Sequence, residues 1–216
     1  RGGILLESIY GKQGEALPEI LGAFRTRIEE ISARIKERTG SAPYEHLICR
    51  VKSDESMREK CRRKGLPETP QSALCKVHDA IGVRVVCRFI DDVYVVVRAL
   101  KNLSGVTVFE EKDYIRDVKP NGYRSYHMIV SIEAPFEDVA GRNPGHFFVE
   151  LQLRTLAMDS WASLEHEMMY KHTVKNRKLL AAELKRCADE LASCDLSMQT
   201  IRNLIRETDV MGEVMA

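Results

Sequence analysis

At 216 residues, with 44% hydrophobic and 30% charged side chains, the chain can bury one sizeable core and is too apolar to be disordered. A formal net charge of +1 excludes a general polyanion-binding surface, so any phosphate recognition must come from local clustering. No run of about 18 apolar residues exists to span a membrane. The six cysteines, at 49, 61, 75, 87, 187 and 194, form no Cys-x-x-Cys pair and read as buried, reduced thiols of a cytoplasmic protein. Arg1-Gly2-Gly3 carries no signal-peptide pattern and reads as the abrupt start of a chain with residues missing before it.

From Glu15 to Arg38, Leu17, Leu21, Phe24, Ile28, Ile31 and Ile35 alternate spacings of four and three, which predicts a helix closed by Thr39-Gly40. Tyr44 to Val51 reads as a short link into a basic helix from about Ser53 to Lys64. On that helix Lys52, Ser56, Lys60 and Arg63 form one stripe, with Arg50 entering just before it. Arg50 to Lys64 holds seven cations against three carboxylates. Such a run is often only a solvated helix face; clustering on one stripe favours a site. Gly65-Leu66-Pro67 breaks the helix, and Thr69-Pro70 opens another reaching about His78. Ile81 to Phe89 is a valine-rich strand, with Gly82 permitting close backbone approach. Asp91-Asp92 caps a helix to about Leu103, and Gly105 to Glu111 is a second strand.

Lys119-Pro120-Asn121-Gly122 is a turn, followed by Tyr123-Arg124-Ser125-Tyr126-His127 and a strand from Met128 to Ile132. The Pro- and Gly-containing loop from Ala134 to Gly145 reads as a connection that moves. It leads to the strand Phe147–Arg154, whose alternation puts Phe147, Val149, Leu151 and Leu153 on one face and Glu150, Gln152 and Arg154 on the other. Thr155 caps a helix to about Lys171 with Ala157, Trp161, Leu164 and Met168 as its buried stripe. A last helix runs from Asn176 to about Glu207. The pattern predicts one α+β domain over 1–216: an N-terminal helix (1–40), a mixed-sheet core (44–171) and a C-terminal helix (176–207).

Asp79 stands where a helix hands over to a strand. A carboxylate there can simply cap backbone amides, but Glu150 supplies a partner. Magnesium is usually held by one or two carboxylates plus substrate phosphates, and the pair together with Arg84 fits that chemistry. Three other motifs are incomplete. There is no P-loop; His166-Glu167-Met168-Met169-Tyr170 lacks the second histidine of a zinc-protease helix; and His78-Asp79 lacks the further ligands of a metal phosphohydrolase. Tyr123 and Tyr126 among cations suit base stacking, and an ordinary hairpin with cross-strand aromatic pairs would look the same.

Lys119-Pro-Asn-Gly-Tyr-Arg-Ser-Tyr-His127, Glu150-Leu-Gln-Leu-Arg-Thr155, Asp79-Ala-Ile-Gly-Val-Arg84 and Arg50-Val-Lys52 together resemble the synthetase domain of the RelA/SpoT family, in its small alarmone synthetase form. The resemblance runs from about Tyr44 to Lys171. It implies a nucleotidyltransferase-like fold and transfer of the β,γ-pyrophosphate of ATP to the 3′-hydroxyl of GTP or GDP, the reaction of stringent-response signalling. By position, it implies that Asp79 and Glu150 hold Mg2+, with Glu150 as base. Arg50, Lys52, Ser56, Lys60 and Arg84 would hold ATP phosphates, with Arg63 against adenine. Tyr123 would stack on guanine, with Lys119, His127 and Gln152 on the acceptor's side. Asp159 falls where some relatives carry Asn, and a carboxylate there could accept from guanine N1–H and the 2-amino group. Glu110-Glu111-Lys112-Asp113 matches neither charge pattern of the long family members, so it carries no metal or acceptor preference.

Two other readings stay open: pyrophosphate transfer to adenine nucleotides or RNA ends, and a non-catalytic nucleotide- or RNA-binding module. Nothing in the residues supports single-stranded RNA or DNA as a partner. The final helix carries Leu180, Leu184, Cys187, Leu191, Cys194, Met198, Ile201 and Ile205 at alternating spacings of four and three, a seam of period 3.5. About 40 Å of such helix predicts a homo-oligomer, a tetramer by the family resemblance, against the alternative of pairing within the chain with the first helix.

Overall fold

The computed structural model describes residues 7–170 and 176–214, so the expected helix end at Lys171 and the chain's start at Arg1-Gly2-Gly3 lie outside the described residues. Five strands form one sheet: β1 (Tyr44–Val51), β2 (Ile81–Cys87), β3 (Val106–Asp113), β4 (Tyr126–Ala134) and β5 (Gly145–Thr155), in the order β1-β2-β5-β4-β3. β2 lies parallel to β5 and every other neighbour is antiparallel, so the sheet is mixed, as expected. The strand with the sharpest alternation, β5, sits in the middle. Its Phe147, Val149, Leu151 and Leu153 are no more than 3% exposed, each burial contributing roughly 1.5–3 kcal/mol.

That apolar face is covered by α1 (Leu17–Thr39) and α3 (Ile90–Lys101). All six seam residues of α1 are buried, none more than 8% exposed, and Gly40 ends the helix in the left-handed conformation at φ 74°. α1 therefore spends its seam on the sheet and α3. α2 (Asp54–Arg63) is capped by Ser53, whose Oγ accepts from the Ser56 amide. α4 (Leu156–Tyr170) follows β5 directly, with Thr155 Oγ1 accepting from the Met158 amide. α5 (Arg177–Val214) is 38 residues long, about 57 Å at 1.5 Å per residue.

Several expectations are corrected. Tyr44–Val51 is not a link but an edge strand, half exposed, so its apolar alternation is weak and β2 supplies its ladder. The helix expected from Thr69 to His78 shrinks to a π-helical turn at Ser72–Lys76. Asp91 and Asp92 do not cap α3; they turn to α5, where Arg202 holds Asp92 at 2.8 Å and the Gln199 amide group donates to Asp91 at 2.8 Å. On α4, Leu164 is 51% and Met168 39% exposed, because α5 covers the Met158 and Trp161 side instead. Cys194 is exposed, while Cys61 and Cys87 are buried; all six cysteines are unpaired.

The loop before β5 is not slack. Buried Asp138 accepts from the amides of Ala140, Arg142 and His146 and from the Arg142 guanidinium, at 2.7–3.1 Å. Burial pushes its carboxyl up, but these donors outweigh burial and bring it down to about 2. With the folded pKa depressed, this stabilisation is present above the ordinary carboxylate range and lost as pH falls towards 2. Asp138→Ala strands three amides and is expected to cost about 3 kcal/mol in urea unfolding; a loss under about 0.5 kcal/mol would show that water replaces the carboxylate at no cost.

Candidate active site

The face of the sheet opposite the core carries two cross-strand rows set by register. Arg50, Gly82, Glu150, Ile129 and Glu110 align across the five strands, and one step along lie Ile48, Arg84, Gln152, His127 and Lys112. Period-two alternation on each strand makes these rows polar where the other face is apolar. Gly82 has no side chain to separate Arg50 from Glu150, and a Cβ there would touch the Arg50 side chain at 3.6 Å.

Asp79 stands just before β2. Its Oδ2 accepts from Lys52 Nζ at 2.6 Å and from Lys60 Nζ, so β1's end and α2 both converge on one carboxylate. Its Oδ1 is buried and bonded to nothing among the described residues. Burial raises the carboxyl's pKa, but the two ammonium groups overcome this and hold it below the ordinary range.

Asp79 and Glu150 together form a wall shared by two clefts. One, of about 130 Å³, is lined by Arg50, Arg84, Gln152 and Ile48. The other, of about 210 Å³, is lined by Lys119, His127, Tyr114, Lys112, Lys60 of α2 and Lys64 just after it. Tyr123 flanks the second cleft. Arg154 Nη2 donates to Tyr123 Oη at 2.6 Å, and Tyr123 Oη meets His127 Nε2 at 2.7 Å. With Arg154 donating to the phenol oxygen, the phenol proton is free to be donated to His127 Nε2 when that nitrogen is unprotonated. Burial, with Arg154, Lys119 and Lys112 nearby, pulls His127 down to about 4, which favours the neutral imidazole at pH 7. Lys119 Nζ lies 4.3 Å from the Tyr114 ring centre and 4.9 Å from that of Tyr123.

Some expected residues stand elsewhere. Ser56 takes the Ser53 hydroxyl's hydrogen bond, and exposed Arg63 ends α2; neither lines a cleft. Gln152 lines the Arg50–Arg84 cleft rather than the Lys119 side, donating to Glu150 at 3.3 Å and accepting from Arg154 at 2.9 Å. Asp159 faces neither cleft. Its Oδ1 takes Arg154 at 3.0 Å and Arg84 at 3.3 Å, tying one arginine from each side of the site. Burial lowers the Arg84 pKa, Arg154 adds repulsion, and Asp159 offsets part of it.

The residues fit magnesium. A buried carboxylate oxygen without a donor, beside a second carboxylate, offers hard oxygen ligands with room for phosphates. Among the described residues no group of three His, Cys, Asp or Glu side chains forms a zinc-type cage. His78 Nε2 meets the Cys75 carbonyl, and its ring packs on Phe109 and Phe148.

Residues 49–175 match the model of the region found in RelA / SpoT proteins. The chain belongs to the RelA/SpoT family. It is 39% identical to the GTP pyrophosphokinase YwaC of Bacillus subtilis over 84% of this chain and 85% of that one. The small alarmone synthetase 2 structure from Bacillus subtilis matches with a TM-score of 0.74 at 39% identity, over 88% of this chain and 95% of that chain. Small alarmone synthetase 1 from the same organism, bound to its product pppGpp, matches at 0.75 and 32% identity, over 88% and 94%. This RelA/SpoT-family sheet thus carries the polar rows on the same fold as those synthetases. Sequence assigns no site role to Arg154, Tyr114, Lys112 or Lys64. Arg154 had a signal, being the third polar residue on β5's face; the others needed the strand order.

Proposed function

We propose that this RelA/SpoT-family chain is a GTP pyrophosphokinase that transfers the β,γ-pyrophosphate of ATP to the 3′-hydroxyl of GTP or GDP, giving (p)ppGpp and AMP. One observation carries the reading: two cation-lined clefts share a single two-carboxylate wall. ATP phosphates suit the Arg50–Arg84 side, with Lys52 and Lys60 close by at the shared wall, where both bond Asp79. The acceptor base suits Tyr123, beside Lys119 and His127. Glu150, between the clefts, takes the 3′-hydroxyl proton as the acceptor oxygen bonds to Pβ, and the Pβ–O bond to AMP breaks. Asp79 and Glu150 would hold Mg2+, which supplies charge neutralisation on the phosphates. The protein's work is positioning and charge complementarity rather than covalent chemistry.

The test is incubation with ATP, Mg2+ and, separately, GDP, GTP and adenine nucleotides, followed by nucleotide chromatography. A guanosine product bearing a 3′-pyrophosphate is expected, with AMP formed in equal amount. An adenine-only product, or none, would sink the reading.

The assembly proposed is a homo-oligomer built on α5, a tetramer in the family's manner. Leu180, Leu184, Cys187 and Leu191 pack around Trp161 of their own chain. Beyond them the inward face continues as Asp195, Gln199 and Arg202, because a straight helix drifts about 20° per heptad from a 3.5-residue seam. Met198, Ile201, Leu204 and Ile205 are left 50–58% exposed, and Leu196 61%. That stripe supports a second copy as its cover. Met198→Glu with Ile205→Glu is expected to reduce the mass in light scattering to that of one or two chains; an unchanged mass places the contact elsewhere. Leu191 is unsuitable for this test, since it packs within its own chain.

A further inference from the structure

The turn that carries Tyr123 is held from outside. Within itself it has the backbone bonds from Gly122 N to Lys119 O at 2.8 Å and from Lys119 N to Tyr123 O at 3.3 Å, and the Tyr123 amide donates to Asn121 Oδ1 at 3.2 Å. Residues 123–125 then run as coil into β4. A segment so lightly bonded takes its orientation from its neighbours.

The neighbour is α5. Arg124 Nη1 donates to the Gly122 carbonyl at 3.1 Å and to the Ala188 carbonyl of α5 at 3.2 Å. Its Nη2 donates to Asp189 at 3.0 Å. A carbonyl has two lone pairs, so Ala188 can serve both its helix and the guanidinium. Gly122 lies flush against the same turn of helix: at φ +92°, a Cβ there would stand 2.6 Å from the Ala188 Cβ. Trp161 completes the junction. It is 4% exposed, donates Nε1 to the Leu184 carbonyl at 2.7 Å, and has its ring centre 6.4 Å from that of Tyr123. Below the junction, Thr155 at the end of β5 donates to buried Asp195 at 2.5 Å, fixing α5 to the sheet.

We propose that α5 is a strut for the acceptor turn, and that Arg124 is the positioning residue that sets Tyr123 for the incoming base. The inference rests on the reading of Tyr123 as the acceptor's stacking partner. Arg124 is bonded to the turn and to the helix and lines neither cleft. Its loss therefore reaches the clefts through the turn and Tyr123. With the brace gone the ring keeps its Oη contacts to Arg154 and His127 but loses its fixed backbone, which weakens stacking without disturbing the Arg50–Arg84 cleft.

Arg124→Ala removes three charge-assisted hydrogen bonds at once, so the KM for GDP or GTP is expected to rise about tenfold, with the KM for ATP changed less than about twofold. Trp161 is the sole tryptophan, so acrylamide quenching reads the junction without any turnover. Quenching is expected to increase about twofold in Arg124→Ala, as loosened packing admits the quencher. Arg124→Lys keeps one charge but cannot span two carbonyls and a carboxylate, and should show both changes at smaller size. Unchanged quenching in Arg124→Ala, or ATP and acceptor KM values rising together, would overturn the strut. If instead Tyr123→Ala leaves acceptor KM unchanged, the stacking role of Tyr123 is what fails, and the quenching result still decides whether α5 braces the turn.

Discussion

Glu150→Gln is expected to lower turnover by at least about 100-fold while leaving the fold intact, because general-base catalysis alone contributes about 10²–10⁴. The substitution keeps the side chain's shape and removes its charge and proton affinity. Glu150 points away from the core that Val149 and Leu151 fill, so the melting temperature should hardly move. Asp79→Asn is expected to cost as much in turnover, and it carries a stability penalty as well. It leaves Lys52 and Lys60, whose side chains are only 14% and 22% exposed, facing a neutral amide. Because the Asp79 pKa is depressed in the folded chain, the pairing contributes fully at neutral pH and is lost as pH falls through that lowered value. Product formation followed by chromatography, beside thermal melts, separates the two effects. Near-normal transfer by Glu150→Gln would remove Glu150 from the base role.

Tyr123→Ala is expected to weaken acceptor binding by roughly ten- to a hundredfold and ATP binding by less than twofold, since base–aromatic stacking is worth about 1–3 kcal/mol. In the resting chain the Lys119 ammonium lies over the Tyr123 ring and Arg154 stands 5.2 Å from its centre. A guanine that takes Lys119's place on the ring frees that ammonium for the acceptor's phosphates, so one exchange serves both contacts. Tyr123→Phe keeps the ring but breaks the bond from Arg154 and the one to His127, and should fall between wild type and alanine. Calorimetry with each nucleotide alone measures this. Equal losses for both nucleotides would point to a folding role for the ring.

How much of this was legible in the sequence varies by residue. The β5 alternation, the α1 seam and the Lys119–Gly122 turn could be read directly, because each is a local pattern whose period dictates its faces. β1 could not, since an edge strand half in solvent has no apolar rhythm and is defined by its ladder to β2. On α4, four apolar residues suggested a stripe, but α5 chose which side was covered. The convergence of Lys52 and Lys60 on Asp79 was only half visible: helical spacing put the lysines on one stripe, and tertiary packing brought the carboxylate. Asp159 shows the opposite limit. Its position suggested a base contact, while its actual partners, Arg84 and Arg154, come from two strands that only the sheet order places side by side.

The pairing of Asp79 with two lysines has a consequence for the choice of ligand. Several cations at the site carry internal counterions: Lys52 and Lys60 have Asp79, Arg84 has Asp159, and Lys112 has Glu110, whereas Arg50, Lys64 and Lys119 pair with no carboxylate among the described residues. An open row of bare ammonium groups would collect whatever polyanion passed and release solution ions in doing so, with the steep salt dependence of such exchange. Around Lys52, Lys60, Arg84 and Lys112 the ions to be displaced are tethered carboxylates. To engage those cations a ligand must offer anions where the carboxylates already point, and a cation to satisfy them once displaced. A nucleoside triphosphate arriving with a divalent metal would do both in one step.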